Sequence, residues 1–293
     1  MRVILPAMTL SRPFALLLAP LSLLGCTTPG ATQLNRPSSA DSAPVARIDR
    51  DFASHFGDTE GAFVLLDPQN SRLIRHNPER ARTRFIPAST FKIPNTLIAL
   101  ETGVASGPEF LLEWDSEVAP RQPWWPASWA KGHTLRTALA NSAVWYYQEL
   151  ARRIGPERMA SYLEEFAYGN QDLSGGIDQF WLQGGLRISP EEQVDFLRRF
   201  YFQELGVSER STQLVKEIIV LEETPQYRLS GKTGWAALGE YSGREIGWLV
   251  GYLERGDEVY FFATNINIRT NADAAERLRI TRSILGALGL LGE

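Results

Sequence analysis

The sequence predicts an α+β fold within the broad α/β class: an antiparallel sheet assembled from both ends of the chain and flanked by terminal helices, beside a helical lobe built from the middle. Three observations predict it. Gly61 to Asp67 and Leu73 to His76 read as two strands around the turn formers Pro68, Asn70 and Ser71. Gln226 to Thr233, Glu245 to Glu254 and Glu258 to Asn265 are rich in Tyr, Val, Trp, Phe and Ile, with Arg255, Gly256 and Asp257 as a turn between the last two. Between these groups, apolar residues recur at helical spacing.

Composition bounds what such a fold can do. The 293 residues are 44% hydrophobic and 22% charged, an ordinary globular mix able to bury a substantial core. Net charge is −4, and without the first 25 residues it is −6, from 28 basic against 34 acidic side chains. That balance gives no footprint for nucleic acid or an acidic membrane surface.

Taken in order, the chain opens with Arg2 and Arg12 followed by an apolar run, Pro13 to Leu24. The run is too short to span a bilayer, which needs about 20 residues, and it reads as the core of a secretory signal over residues 1–25. Leu23, Leu24, Gly25 and Cys26 resemble a bacterial lipoprotein cleavage box, in which the cysteine becomes the lipidated first residue; conventional cleavage nearby, with Cys26 incidental, is the alternative. Cys26 is the one cysteine, so no disulfide holds this fold. Residues 26–46 are rich in Thr, Pro, Ser, Ala and Gly and read as a linker, probable disorder following from their low apolar content; residues 47–293 form the folded domain.

Ile48, Phe52 and Phe56 recur every four residues and predict a short opening helix closed by Gly57. After the first hairpin comes a polar, basic stretch, Asn77 to Arg84. Phe91, Ile93, Leu97, Ile98 and Leu100 then mark a helix that starts near Ser89, since Pro94 is tolerated only close to a helix start, and stops at Gly103. Pro108 to Trp114 predicts a short helix, and Pro120 to Trp129 a loop carrying Trp124, Trp125 and Trp129, either packing or a ligand cage. Thr134 to Ala140 and Val144 to Ile154 predict two helices, broken at Asn141 and Ser142 so that Ser142 projects from a tight turn. Pro156 to Ala167 predicts another. Ser189, Pro190 and Glu192 form a capping box with proline at the first helical position, predicting a helix to about Leu205. Ser211 to Ile219 reads as helix, and Ala272 to Leu288 closes the chain as a helix with Leu278, Ser283, Ile284 and Leu285 toward the sheet.

Chemistry concentrates at three places. Ser89 and Lys92 stand at i and i+3 at a helix start, so they share one face near the positive end of the helix dipole. A serine hydroxyl needs a neighbour to take its proton, and a lysine can do so only where desolvation or a nearby cation keeps its amine neutral. Ser142, Ala143 and Val144 lie in the turn between helices, and Lys232, Thr233 and Gly234 on a strand. His55, His76 and His133 have no ligand spacing, so no metal site and no zinc hydrolase is predicted.

In order and spacing these motifs resemble the penicillin-recognising serine enzymes, with S-x-x-K, then S-D-N, then K-T-G. Here Ala143 and Val144 depart from S-D-N, while Tyr168, Gly169, Asn170, then Phe180 and Trp181, complete a set similar to the class D, oxacillinase-type β-lactamases over about residues 48 to 290. The resemblance implies a β-lactamase/transpeptidase-like fold and hydrolysis of penicillin-type β-lactams through an acyl-enzyme on Ser89. It implies carbon dioxide taken up as a carbamate on Lys92, which then serves as general base, with Trp181 holding it. It implies no metal or organic cofactor. Ser142 would pass a proton to the ring nitrogen; Val144, Lys232, Thr233, Gly234 and Arg277 would bind substrate, and the N–H groups of Ser89 and Trp235 would form the oxyanion hole. The apolar Val144 beside the lysine should lower its pKa. The resemblance places the protein in the periplasm, with or without a lipid anchor at Cys26, as monomer or homodimer, conferring β-lactam resistance. Two other functions stay open: a non-hydrolytic β-lactam sensor domain, which normally sits behind several transmembrane helices absent from this sequence, and a peptidoglycan transpeptidase or carboxypeptidase, against which Val144 argues.

Overall fold

The computed structural model describes residues 45–236, 245–270 and 272–292. The signal segment, Cys26 and the linker up to residue 44 lie outside the described residues. In chain order, β1 (Ala46–Asp49), α1 (Ala53–Phe56), β2 (Gly61–Asp67), β3 (Arg72–His76) and α2 (Pro78–Arg82) lead to a 3-10 turn, Ala88–Phe91, that runs straight into α3 (Lys92–Glu101). The middle of the chain supplies β4 (Leu111–Leu112), a 3-10 turn at Ala127–Trp129, β5 (His133–Thr134), α4 (Leu135–Asn141), α5 (Val144–Ile154), α6 (Pro156–Glu165), α7 (Pro190–Tyr201) and α8 (Glu209–Ile218). Four segments complete it: β6 (Val220–Glu223), β7 (Arg228–Ala236), β8 (Glu245–Arg255) and β9 (Glu258–Ile268), then α9 (Asp273–Ala287).

Seven strands form one sheet in the order β1-β3-β2-β9-β8-β7-β6. Every neighbouring pair is antiparallel except β1 with β3. All of β2 is buried, and its alternate residues go to opposite sides. Phe63 and Leu65 join Phe52, Phe56, Ile280, Ile284 and Leu285 under the terminal helices, whereas Val64 and Leu66 join the core of the helical lobe. Strand β8 divides the same way, Leu249 and Leu253 against Trp248, Val250 and Tyr252. A period of two buried on both faces explains why these strands read as nearly unbroken apolar runs. Each fully buried Phe or Leu contributes roughly 1.5–3 kcal/mol, so the two faces clamp the sheet.

One end of β7 matters for function. Its ladder with β6 covers Arg228 to Ser230, and the last bond on that side runs from Gly231 N–H to Ile219 O, 2.8 Å. Beyond it, Lys232 to Ala236 have no strand on that edge among the described residues and face the Ala88–Phe91 turn instead. At Gly234 a Cβ would lie 3.0 Å from Pro87 O and from Thr90 Cγ2, so only glycine lets strand and turn approach this closely.

Several local expectations are corrected. The fours spacing of Ile48, Phe52 and Phe56 is not one helix. Ile48 lies in β1, and only one turn, Ala53–Phe56, is helical. Arg75 draws the segment into the sheet by pairing with Asp49 at 2.7 Å. Ala46, read as linker, is the first residue of β1. The basic stretch after the hairpin holds α2, started by Asn77, whose side chain accepts from Arg80 N–H at 3.2 Å. Pro108 to Trp114 is not helical, because Leu111 and Leu112 pair with Thr134 and His133. β6 was not foreseen. In α9, Leu278 and Ser283 face solvent, while Ile280, Thr281, Ile284 and Leu285 are the buried stripe. The helical start close to Ser89, the helix starts at Val144 and Pro190 and the Ser189 capping box match their expectations, and the helix expected from Thr134 begins at Leu135 with Thr134 as its cap.

Candidate active site

Ser89 lies one residue into the 3-10 turn, and Lys92 opens the α-helix that follows. Lys92 Nζ is 2.8 Å from Ser89 Oγ. The lysine is completely buried, with Nζ 5.2 Å from the Tyr147 ring centroid. Burial, and then the charge of Lys232, push its pKa far below the ordinary lysine value. An unpaired buried charge costs several kcal/mol, so burial favours the neutral form. A neutral amine carries the lone pair that an ammonium lacks.

The turn is held from behind. Ala88 adopts φ +49° although it is not glycine, a conformation costing roughly 1–2 kcal/mol, and its N–H donates to Trp181 O at 3.0 Å. Thr90 Oγ1 donates to Pro87 O at 2.8 Å and accepts from Gln193 Nε2 at 2.9 Å. Phe91 stacks on Trp181 with centroids 5.4 Å apart and meets Tyr168 and Phe180 edge-on. Trp181 is fully buried, yet its Nε1 has no acceptor. An orphaned donor of this kind costs about 1–3 kcal/mol, and it lies beside the residue that precedes Lys92. Indole only donates, so the orphan suits an anionic oxygen on Lys92, and the residues fit a carbamate there.

Ser142 ends α4 in the left-handed region, φ +56°, and Val144 is the first residue of α5. Val144 and Tyr147 are i and i+3 on one helix face, and the Tyr147 ring is the one that the lysine amine meets. Val144 is half-buried against the helical core.

Across the cleft, Lys232 is 5% exposed, with Nζ donating to Thr233 O at 3.1 Å and Thr233 Oγ1 at 3.3 Å. Burial, and then the charge of Arg277, bring it down to about 7. Arg277 itself, lowered to about 10 by burial, stays charged at neutral pH. Its donors go to backbone, Nη1 to Gly234 O and Nε to Ala274 O, both at 2.6 Å, and its guanidinium stands 5.8 Å from the Trp235 ring centroid. The expected carboxylate-binding arginine thus first braces the strand that carries Lys232. Trp235 Nε1 donates to Glu245, a partner no motif signalled. Backbone N–H groups alternate along a strand, and Gly231 points to the β6 side; Thr233 and Trp235 therefore turn theirs to the uncovered edge, toward Ser89.

The structure thus joins Ser89, Lys92 and Trp181 in one block and Lys232, Thr233, Gly234, Trp235 and Arg277 in another. Tyr147, Thr90 and Gln193 were missed. Tyr147 could have been found from its i+3 spacing to Val144; Thr90 and Gln193 are 103 residues apart and carry no local signal.

Comparison with known proteins agrees with this geometry. The family described as penicillin binding protein transpeptidase domain matches residues 61–286. The chain is 42% identical to β-lactamase OXA-5 of Pseudomonas aeruginosa over 231 residues, 79% of this chain and 85% of that one. It superposes on the class D β-lactamase YbXI of Nostoc with a TM-score of 0.77 at 46% identity, covering 82% and 99% of the two chains. It also superposes on the C-terminal domain of the Bacillus licheniformis BlaR penicillin-receptor, TM-score 0.79 at 32% identity, covering 86% and 100%.

Proposed function

The chain belongs to the class D serine β-lactamases, and on that premise we propose that it hydrolyses penicillin-type antibiotics through an acyl-enzyme on Ser89, with carboxylated Lys92 as the base. The observation that carries this reading is the buried amine of Lys92, 2.8 Å from the Ser89 hydroxyl.

Lys232 and Thr233 receive the substrate carboxylate, with Arg277 behind them raising the positive potential and holding Gly234 in place. Ser89 Oγ attacks the lactam carbonyl carbon as its proton leaves toward Lys92. The carbonyl electrons move to oxygen, which the N–H groups of Ser89 and Trp235 receive. The C–N bond then breaks, and Ser142 relays to the departing ring nitrogen the proton that the Lys92 base took from Ser89, leaving both groups as they began. A carbamate on Lys92 would supply an anionic base able to serve both halves of the reaction, and the unpartnered Trp181 Nε1 is the donor that would hold it. Water attack on the ester carbonyl releases the ring-opened acid and restores Ser89. Export to the periplasm, with Cys26 as lipid attachment point, and resistance of the host belong to the same reading.

A second reading, a non-hydrolytic β-lactam sensor, rests on the likeness to the BlaR domain. Nitrocefin hydrolysis by the purified enzyme, before and after acid exposure and with bicarbonate returned, separates the two. Turnover lost in acid and restored by bicarbonate is expected. A stoichiometric burst without turnover overturns hydrolysis, and full turnover by Ser89→Ala overturns the nucleophile.

A further inference from the structure

The tryptophan loop touches the catalytic machinery through one hydrogen bond. Asn141 ends α4, so its carbonyl is among the last in the helix and has no intrahelical donor. Trp129 Nε1 reaches it across the cleft wall at 2.8 Å. The N–H on the other side of the same peptide, that of Ser142, donates back into α4 at Leu139 O, 3.1 Å. The peptide plane joining Asn141 to Ser142 is therefore pinned at both ends, by the helix and by an indole. That matters because the next residue is a serine at φ +56°, where a glycine is the usual occupant. Rotation of that plane is one way for Ser142 to leave its strained conformation, and it would carry the side chain with it.

Trp129 is in turn well anchored. It is 7% exposed, its carbonyl accepts from Trp145 Nε1 at 2.8 Å, and its ring meets Trp124 and Trp125 edge-on at 5.7 and 5.5 Å. Trp124, by contrast, is 66% exposed. We propose that Trp129 is a positioning residue for acylation, its indole N–H holding the Asn141–Ser142 peptide so that the Ser142 hydroxyl stays aimed at the leaving nitrogen. This rests on the reading of Ser142 as proton carrier. It assigns the tryptophan cluster a part in the reaction beyond packing.

The consequence is specific to one half-reaction. Ser142 acts when the ring C–N bond breaks, whereas release of the acyl group depends on Lys92 and water. Trp129→Phe keeps an aromatic ring and deletes the donor; benzothienylalanine at 129 keeps the full indole shape without the N–H, which covers the case in which the phenylalanine variant fails to fold. Pre-steady-state nitrocefin kinetics on the whole enzyme should show acylation slowed about tenfold, the worth of one such hydrogen bond, with deacylation changed less than about twofold. In a Ser142→Ala background the same change should slow acylation by less than about twofold. Equal losses in both backgrounds, or a loss shared by acylation and deacylation, overturn the proposal and leave Trp129 a packing residue. If Ser142→Ala alone acylates at the native rate, the reading of Ser142 falls, and the proposal with it.

Discussion

Burial lowers the pKa of two lysines, Lys92 and Lys232, yet the proposed reaction needs them in opposite states. Lys92 sits in the dry block of Phe91, Tyr147 and Trp181, with Ser89 Oγ as its one side-chain hydrogen-bond partner among the described residues, and in the proposed reaction it must lose its proton. Lys232 sits on the uncovered half of β7, beside a carbonyl and a hydroxyl, and must keep its proton to hold an anion. Burial alone therefore does not assign a lysine its task. What separates them is the acceptor set: Lys232 has oxygens that stabilise its cation, while Lys92 has a hydroxyl that it must deprotonate. The charge of Lys232 also helps to drive the proton from Lys92.

Removing each amine in turn is the harshest way to break that comparison. Lys92→Met should lower nitrocefin turnover roughly 10³-fold or more while holding or raising the melting temperature, because a buried amine gives way to an apolar chain. Lys232→Met should act mainly on KM for a penicillin, raising it about tenfold to a hundredfold, the loss of a charge-assisted contact. Steady-state kinetics with calorimetry on both variants checks this; a KM effect at Lys92 with turnover intact would refute the division. A milder change sharpens it. Trp181→Phe removes the orphaned donor and should cost about tenfold in turnover, largely recovered by added bicarbonate. No recovery would detach Trp181 from the lysine.

The smallest effect is on stability. Both lysines titrate lower in the folded chain than in the unfolded one, so the unfolded chain binds more protons and stability rises with pH across the gap. For Lys232 the gap runs from about 7 to the ordinary value of 10.5. The melting temperature should thus climb by a few degrees between pH 7 and about 9.5, and Lys232→Met should flatten part of that climb. Above pH 10 the buried Tyr147, Tyr168 and Tyr252, all raised by burial, reverse the trend.

The chemistry was legible in the sequence where it was local. The closeness of Ser89 and Lys92 follows from i, i+3 spacing, the turn at Ser142 from a break between two helices, and the helix at Pro190 from its own capping box. What escaped depends on partners far along the chain. Ile48 fits a helix or a strand equally well until Arg75 pairs with Asp49. β4 and β5 are two residues each, too short for any period to show. The strain at Ala88 comes from Trp181 O, the clasp on Thr90 from Gln193, and the brace on Gly234 from Arg277. These contacts join elements that no window of sequence contains, and they are the ones that turn motifs into a site.

The pairing of β2 with β9 also has a consequence in time. Gly61 lies opposite Ile266, so the centre of the sheet joins segments about 200 residues apart. Closing such a loop must be done before its contacts repay the lost chain entropy, and topologies of this kind fold slowly. The Ser89 turn can acquire its local helix early, but β7, which supplies the opposite wall, cannot settle until β8 and β9 have joined the N-terminal hairpin. The nucleophile is thus made long before it can act, and the last segments of the chain to emerge are the ones that complete it.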